Sequence, residues 1–381
     1  MPRVAFVYSD RYVDYHLSDT HPLQQKRLLM THRKLDALGA FRSPSSHLIT
    51  PVPATEIDLR RVHSLEYLNA LRLLSTGETI PDKKKFGFGT LDNPPFPGMW
   101  EASLLYAGGS LDCARLVMHD GFDAAFNTSG GLHHARHDRA AGFCTVADCA
   151  LVACYLLDNG AKRIAYVDID AHHGDGMQAF FYDDPRVLTL SIHETPETLY
   201  PRVSGFAEEI GEGAGLGYNA NLPMAPGSGD EAYLKAFEAA FVPLLTAFDP
   251  EYIILQVGAD AHFADPLTHL SLTSRGWLGM AQSVIALSRP VIALGGGGYN
   301  LDTVARLWTL LYGTLSGQTF PESLNDNDGP NEAEAGAVFQ QIYAKRRGTA
   351  RGTDARDYAR RSVEIVRHLV FPWHGLTGPL E

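Results

Sequence analysis

Cysteine is scarce: four in 381 residues, at Cys113, Cys144, Cys149 and Cys154, with none of the paired spacing of a thiolate metal site. That excludes a disulfide-stapled scaffold and points to a reducing, intracellular compartment, with a cytoplasmic location expected. Cys149 and Cys154 sit among apolar neighbours in a helix-like run and read as buried thiols. Long hydrophobic runs are also missing. The longest, "CALVACYLL", is too short to span a bilayer, and the opening "MPRVAFVYSD" lacks the apolar stretch and small-residue cleavage site of a secretory leader. Basic charge is in deficit, with 32 Lys and Arg against 44 Asp and Glu and a net charge of −12. This balance argues against nonspecific nucleic-acid binding, which needs cationic surface to neutralise phosphates. It is compatible with a cationic substrate. There is no internal repeat and no low-complexity linker. The glycine run "GGGGY" is not a phosphate loop, because it lacks both the Lys-Ser/Thr that follows one and the GxGxxG spacing.

What remains is an ordinary globular composition, 45% hydrophobic and 20% charged, in a chain long enough to bury a large core. Short β-branched or aromatic runs ("VAFVY", "RIAYV", "VLTLSI", "YIILQV", "PVIAL") alternate with longer helical patterns ("TVADCALVACYLLDNG", "DEAYLKAFEAAFVPLLTAF", "GWLGMAQSVIALS"). Alternation of this kind predicts an α/β fold, a central and mostly parallel β-sheet flanked by helices. Nearly continuous apolar strands fit a sheet covered on both faces. The expected organisation is one domain over residues 1–381. Residues 321–335, which carry Glu322, Asp326, Asp328, Glu332 and Glu334 and no base, read as a solvated acidic loop. Residues 345–368 read as a basic surface helix.

In open α/β sheets ligands bind beyond the carboxyl ends of the strands, and four polar clusters fall there. "NTSGGLHHA" follows the short strand "AAF" and holds His133 and His134, "DIDAHHGDG" follows "RIAYV", "GAD" with Asp260 follows "YIILQV", and "GGGGY" with Tyr299 follows "VIAL". Burying ionised carboxylates is costly unless they are paired or bind a metal. On an extended chain Asp168, Asp170 and His172 share a side while His173 points away. One Asp and one His from this stretch, with Asp260, would give three ligands and an open position, the pattern of a catalytic metal. Such an N/O set suits Zn2+, Fe2+ or Mn2+. Asp168 and Asp175 are then spare carboxylates, each able to accept a ring N–H from one of the paired histidines.

The set "SGGLHHA", "GFC", "DIDAHHGDG", "LSIHE", "GAD" and "GGGGY" resembles the zinc-dependent histone deacetylases, in particular their class I-like branch and its bacterial relatives, the acetoin-utilisation proteins. The likeness runs from "HPLQQKRL" to "ARLWTLL". It implies an arginase/deacetylase-like fold, Asp170, His172 and Asp260 as ligands of Zn2+ (Fe2+ as the alternative), and His133–Asp168 and His134–Asp175 pairs. It further implies Tyr299 as the oxyanion donor. Gly142, Phe143, Tyr200 and Leu267 would form a narrow substrate tunnel, with Asp92 as the rim acid and Arg27 lining an acetate channel. Tyr200 departs from the phenylalanine that many members carry. A structural K+ would lie among Asp168, Asp170, His172, Ser191 and Ile192, and a second among Phe181, Asp184, Val187 and Tyr218. Gly174 stands where the two-metal ureohydrolases have a further Asp, so a single catalytic metal is expected. His262 is expected as a supporting or surface residue without a ligand role, and His193 as a strand-end residue without a catalytic one.

The implied reaction is hydrolysis of Nε-acetyl-lysine in proteins or peptides. Two alternatives are a small-molecule deacetylase, such as one acting on acetylpolyamines, and a catalytically silent acyl-lysine-binding module. "SGGLHH" in place of the "PPGHH" of polyamine-type relatives speaks against the first. The presence of every ligand and of the tyrosine speaks against the second.

Overall fold

The computed structural model describes residues 2–324 and 355–377. Eight strands form one open sheet: β1 (Val4–Val7), β2 (Ser46–Ile49), β3 (Ala124–Asn127), β4 (Ile164–Asp168), β5 (Val187–Glu194), β6 (Asn219–Met224), β7 (Tyr252–Gln256) and β8 (Val291–Leu294). Their order is β2-β1-β3-β8-β7-β4-β5-β6 and every neighbouring pair is parallel. All residues of β1, β3, β4, β5, β6 and β8 are buried, as expected of a parallel sheet with helices on both faces. Two strands, β2 and β6, escape the hydrophobic reading. The first is an edge strand that exposes Leu48. The second, "NANLPM", interrupts its apolar residues with Asn219, Asn221 and Pro223, and a proline belongs on an edge strand because it has no N–H to give a neighbour.

The helical patterns fold as helices: α1 (Lys26–Ala37), α2 (Glu56–Leu59), α3 (Leu65–Ser75), α4 (Met99–His119), α5 (Asp148–Asp158), α6 (Asp175–Phe181), α7 (Asp230–Phe248), α8 (Ser274–Ile285) and α9 (Leu301–Ser316). The last described helix, α10 (Ala355–Leu369), packs against β6 and α7. It buries Ala359, Val363 and Val366, and Ser362 Oγ donates to the Pro223 carbonyl at 2.7 Å. This helix therefore covers the β6 edge. The expected basic helix is helical from residue 355 onward, and its residues 345–354 lie outside the described residues. Of the acidic stretch, residues 322–324 form a short 3-10 turn and residues 325–335 lie outside the described residues. No described helix is long and apolar enough to cross a membrane. Cys113, Cys144 and Cys149 are buried and Cys154 half-buried, all as free thiols.

The register brings four strand ends level, beside Ser191 within β5. Asn127 of β3 pairs with Leu294 of β8, Leu294 with Gln256 of β7, Gln256 with Asp168 of β4, and Asp168 with Ser191 of β5. Each of the four polar clusters leaves the sheet at this one carboxyl edge. On the face behind it, α4 lies so close to the chain at residues 52–54 that a Cβ on Gly108 would stand 2.0 Å from the Val52 carbonyl oxygen and 2.5 Å from the Ala54 nitrogen.

This close approach sets a sign. Helix propensity alone favours Ala over Gly by about 1 kcal/mol. Forcing a methyl into backbone atoms costs about 1–3 kcal/mol. We expect Gly108→Ala to lower the melting temperature, and a raised one would contradict the packing described.

Candidate active site

Asp170, His172 and Asp260 come together at the carboxyl edge, all buried, with donor atoms within 4.8 Å of one another. Asp170 follows β4. Its Oδ2 accepts from Gln256 Nε2 at 2.9 Å and from the Gly297 N–H at 2.8 Å, and its Oδ1 from the His172 N–H at 2.9 Å. Asp260 follows β7. Its Oδ1 accepts from the Ala171 N–H at 2.8 Å, and its carbonyl from Thr268 Oγ1 at 2.5 Å. His172 turns Nδ1 to both carboxylates, 3.1 Å from Asp170 Oδ1 and 3.0 Å from Asp260 Oδ2. Glycine is required alongside: a Cβ on Gly258 would sit 2.0 Å from Asp170 Oδ2, and one on Gly297 2.1 Å from Asp260 Oδ2.

The electrostatics are those of a cation receptor. Burial and the neighbouring Asp170 push Asp260 up to about 7. Burial opposes the charged form of His172, but Asp170 and Asp260 outweigh it and hold the ring well above its ordinary value. Two carboxylates this close inside the protein demand a positive partner. One imidazole nitrogen and two carboxylate oxygens, with no thiolate, fit a divalent ion of the zinc or iron(II) kind.

His133 and His134 lie beside this cluster. His133 Nδ1 is 2.8 Å from Asp168 Oδ2, His134 Nδ1 is 2.6 Å from Asp175 Oδ1, and the two Nε2 atoms are 3.1 Å apart. Burial disfavours charge on His133, but Asp168 and Asp170 prevail and lift it to about 9. Burial and the charge of His133 lower His134 to about 4. The two rings are thus pushed in opposite directions, His133 toward the charged form beside Asp168 and His134 toward the neutral form beside Asp175. Tyr166 Oη donates to Asp168 Oδ2 at 2.5 Å and completes that carboxylate's shell.

A narrow cleft, with only about 10 Å³ of room for water, opens over these groups, walled by Leu23, Phe143, Tyr299 and the Gly131–His134 segment. Phe143 adopts φ +71°, uncommon for a bulky residue, and Gly142 before it φ +49°. A Cβ on Gly142 would stand 2.3 Å from the His134 ring. The Phe143 ring meets His21 edge-on at 4.4 Å and Tyr299 at 5.8 Å. Tyr299 also lies edge-on to His172 at 6.4 Å, and its N–H donates to Asp265 Oδ2 at 2.7 Å. Burial pushes its phenol well above the ordinary value, so it stays a donor. Tyr200 packs edge-on to His134 at 4.9 Å but lines an outer groove rather than this cleft. Asp92 is exposed beside Leu91, and Leu267 is half-buried in the turn capped by Asp265. Neither lines the cavity. Arg27 is fully buried behind the glycine run, with Nη1 donating to the Gly298 carbonyl at 3.0 Å and the guanidinium 5.1 Å over the Trp308 ring.

The residues expected around structural cations are less uniform. Ser191 pairs with Asp168 across β4 and β5, and its Oγ lies 2.8 Å from His193 Nδ1. Ile192 follows on β5 and pairs with Leu222. The Phe181 carbonyl accepts from Asp184 N–H, and the Asp184 carbonyl from Val187 N–H, as α6 turns into β5. Tyr218 lies alongside, its carbonyl accepting from the Thr189 N–H at 2.9 Å. His193 is buried between Ser191 Oγ and the Gly205 carbonyl, and burial lowers it to about 4. His262 is not on the surface: it is 1% exposed, its Nδ1 accepts from the Ala264 N–H at 3.1 Å, and its ring lies 4.4 Å from that of Phe263, tilted by 31°. His173 points away from the cluster, bonded to Ser204 Oγ and Gln178 Oε1.

Several working residues carry no signal in the sequence. Asp148 at the start of α5 is fully buried and accepts from the Gly131 and Leu132 N–H groups at 2.9 Å and from Ser110 Oγ at 2.6 Å, fixing the loop that leads into His133. Gln256, Asp265 and Arg136 also act on groups remote in the chain. A buried acid inside the apolar "VADCALV" is the one hint that reading alone offers.

Comparison with known proteins now has a geometry to meet. Residues 21–315 match the histone deacetylase domain family. An acetoin utilization protein, AcuC of Bacillus subtilis, is 39% identical over 328 residues, covering 83% of this chain and 84% of its own. Histone deacetylase clr6 of Schizosaccharomyces pombe is 36% identical over 330 residues, 86% and 80% of the two chains. The crystal structure of an HDAC homolog complexed with SAHA superposes with a TM-score of 0.82 at 33% identity, covering 96% of this chain and 99% of that one. A likeness that extends over the sheet and over every cluster at its carboxyl edge leaves one conclusion: the chain belongs to the histone deacetylase family and is a hydrolase of the deacetylase type.

Proposed function

We propose that the chain removes the acetyl group from Nε-acetyl-lysine in proteins or peptides, with one zinc ion, or iron(II), held by Asp170, His172 and Asp260. The observation that carries this reading is the cavity. Its lining combines apolar Leu23 and Phe143 with His134, Tyr299 and the candidate ligand Asp170. An acetylated lysine is uncharged and has a long methylene stem, which suits such a wall, whereas an unmodified ammonium would be desolvated there. We also assign structural potassium ions to the two carbonyl-rich turns, around Asp168, Asp170, His172, Ser191 and Ile192 and around Phe181, Asp184, Val187 and Tyr218. Asp92 is read as the rim acid and Arg27 as lining the acetate exit.

A divalent ion in this site supplies a Lewis acid for the acyl carbonyl and acidifies water. The protein does the rest. His134 Nε2 takes the proton from the attacking water and returns it to the departing lysine amine. Asp175 holds the ring in the tautomer that this requires. His133, held by Asp168, supports His134 electrostatically. The Tyr299 hydroxyl donates to the acyl oxygen. Hydrolysis rates on an acetyl-lysine peptide and on acetylpolyamines, each with and without chelator, test the reading. Peptide hydrolysis that stops with chelator and returns with zinc or iron(II) supports it. Exclusive use of the polyamine, or full activity in verified metal-free protein, contradicts it.

Two substitutions follow. Asp170→Asn is expected to lose both bound metal and activity, while His173→Gln, whose ring bonds only Ser204 and Gln178, keeps the metal. Metal analysis of the purified variants decides this, and one retained equivalent in the Asp170 variant would remove it from the ligand set. Tyr299→Phe deletes one hydroxyl and almost no volume. With metal content unchanged, kcat is expected to fall about 10²–10³-fold, with KM changing little because the lost bond belongs to the transition state. A near wild-type kcat would make Tyr299 a packing residue only.

A further inference from the structure

A third charged side chain reaches the pair that orients His134. Asp175 is 4% exposed, and its Oδ1 accepts from His134 Nδ1 while its Oδ2 accepts from Arg136 Nη2. We propose that Arg136 is a positioning residue of the reaction: it fixes the Asp175 carboxylate so that the carboxylate in turn fixes the His134 ring. The inference rests on the deacetylase reading above.

The backbone explains why this arginine arrives there. His134 lies in a turn and Arg136 in the bridge two residues on, and both side chains reach Asp175. Ala135 between them is buried. The segment is clamped by a tight hairpin, with Arg136 N–H donating to the Arg139 carbonyl at 2.9 Å. Asp175 is brought in from the other direction. The Gly176 N–H donates to the His133 carbonyl at 2.9 Å, and a Cβ on Gly176 would stand 2.3 Å from that oxygen, so only glycine lets α6 approach this closely. Both partners therefore meet the carboxylate on a fixed frame.

The carboxylate itself is the soft part. Its last torsion is an sp³–sp² rotation with a broad minimum. A hydrogen bond to one oxygen alone leaves the plane of the group free to swing, whereas bonds to both oxygens set it. Losing that setting lets the His134 ring drift, and misplacement of a reacting group by about 1 Å can cost about 10²-fold. Arg136 does not line the catalytic cavity. It lines the neighbouring groove of about 510 Å³ with Phe180 and Tyr200, and its side chain is 29% exposed. Deleting it would leave a guanidinium-sized space that can be reached from water.

That access provides the test, made on the metal-loaded full chain with an acetyl-lysine peptide. Arg136→Ala is expected to keep its bound metal and lower kcat about 10–10²-fold with little change in KM. Millimolar guanidinium is expected to restore kcat saturably, while sodium chloride of equal ionic strength does not. Arg136→Lys, which keeps one N–H donor, is expected to fall between. Arg139→Ala, on the same hairpin, is expected to match wild type and ignore guanidinium. An Arg136→Ala enzyme with wild-type kcat overturns the inference. So does a loss that neither guanidinium nor lysine restores while metal stays bound, because the arginine would then support the fold alone. A wild type inactive on the peptide overturns the deacetylase reading instead.

Discussion

Two carboxylates, Asp170 and Asp260, lie fully inside this protein within reach of one imidazole. Ionised groups of like sign do not stay together in a low-dielectric interior without a positive partner. Most of what surrounds them can be understood as the means of keeping that arrangement. The parallel sheet delivers β4 and β7 side by side, so the two aspartates arrive from adjacent strand ends. Three N–H groups and the Gln256 amide donate to their oxygens. Gly258 and Gly297 leave the room that the carboxylates fill.

Charge is divided around this cluster rather than spread evenly. Asp168 and Asp170 draw His133 toward the charged form against its burial, and burial with the neighbouring His133 draws His134 toward the neutral one. The partners differ: His133 faces both Asp168 and Asp170, whereas the Asp175 beside His134 is shared with Arg136. Opposite shifts of two adjacent titratable groups are what a general base and its electrostatic support require.

The sequence made part of this visible. The five apolar runs and the short "AAF" predicted six strands and the alternation predicted a parallel sheet, because buried parallel strands leave an unbroken hydrophobic signature. The ligand stretch was visible through its density of titratable residues at the end of such a run. Strands β2 and β6 were hidden, since edge strands need not be continuously apolar and the asparagines of β6 serve the Gln178 side chain. Of the two places left open for His262, supporting or surface, its burial fits only the first, and a histidine two residues beyond a candidate ligand gives no sign of burial in the sequence. Gln256, Asp265 and Arg136 stayed invisible for a common reason: they act on partners 86, 34 and 39 residues away. Only the register of the sheet and the packing of loops bring those pairs together.

The claim at the centre is that the buried Asp170–His172–Asp260 cluster is built around a divalent cation. Thermal unfolding of metal-stripped protein, titrated with zinc, tests it directly. A ligand that binds only the folded chain raises its stability by mass action. The account predicts a melting temperature that climbs as zinc fills one site per chain and an effect that disappears in Asp260→Asn. A melting temperature indifferent to zinc in the wild-type protein would contradict it.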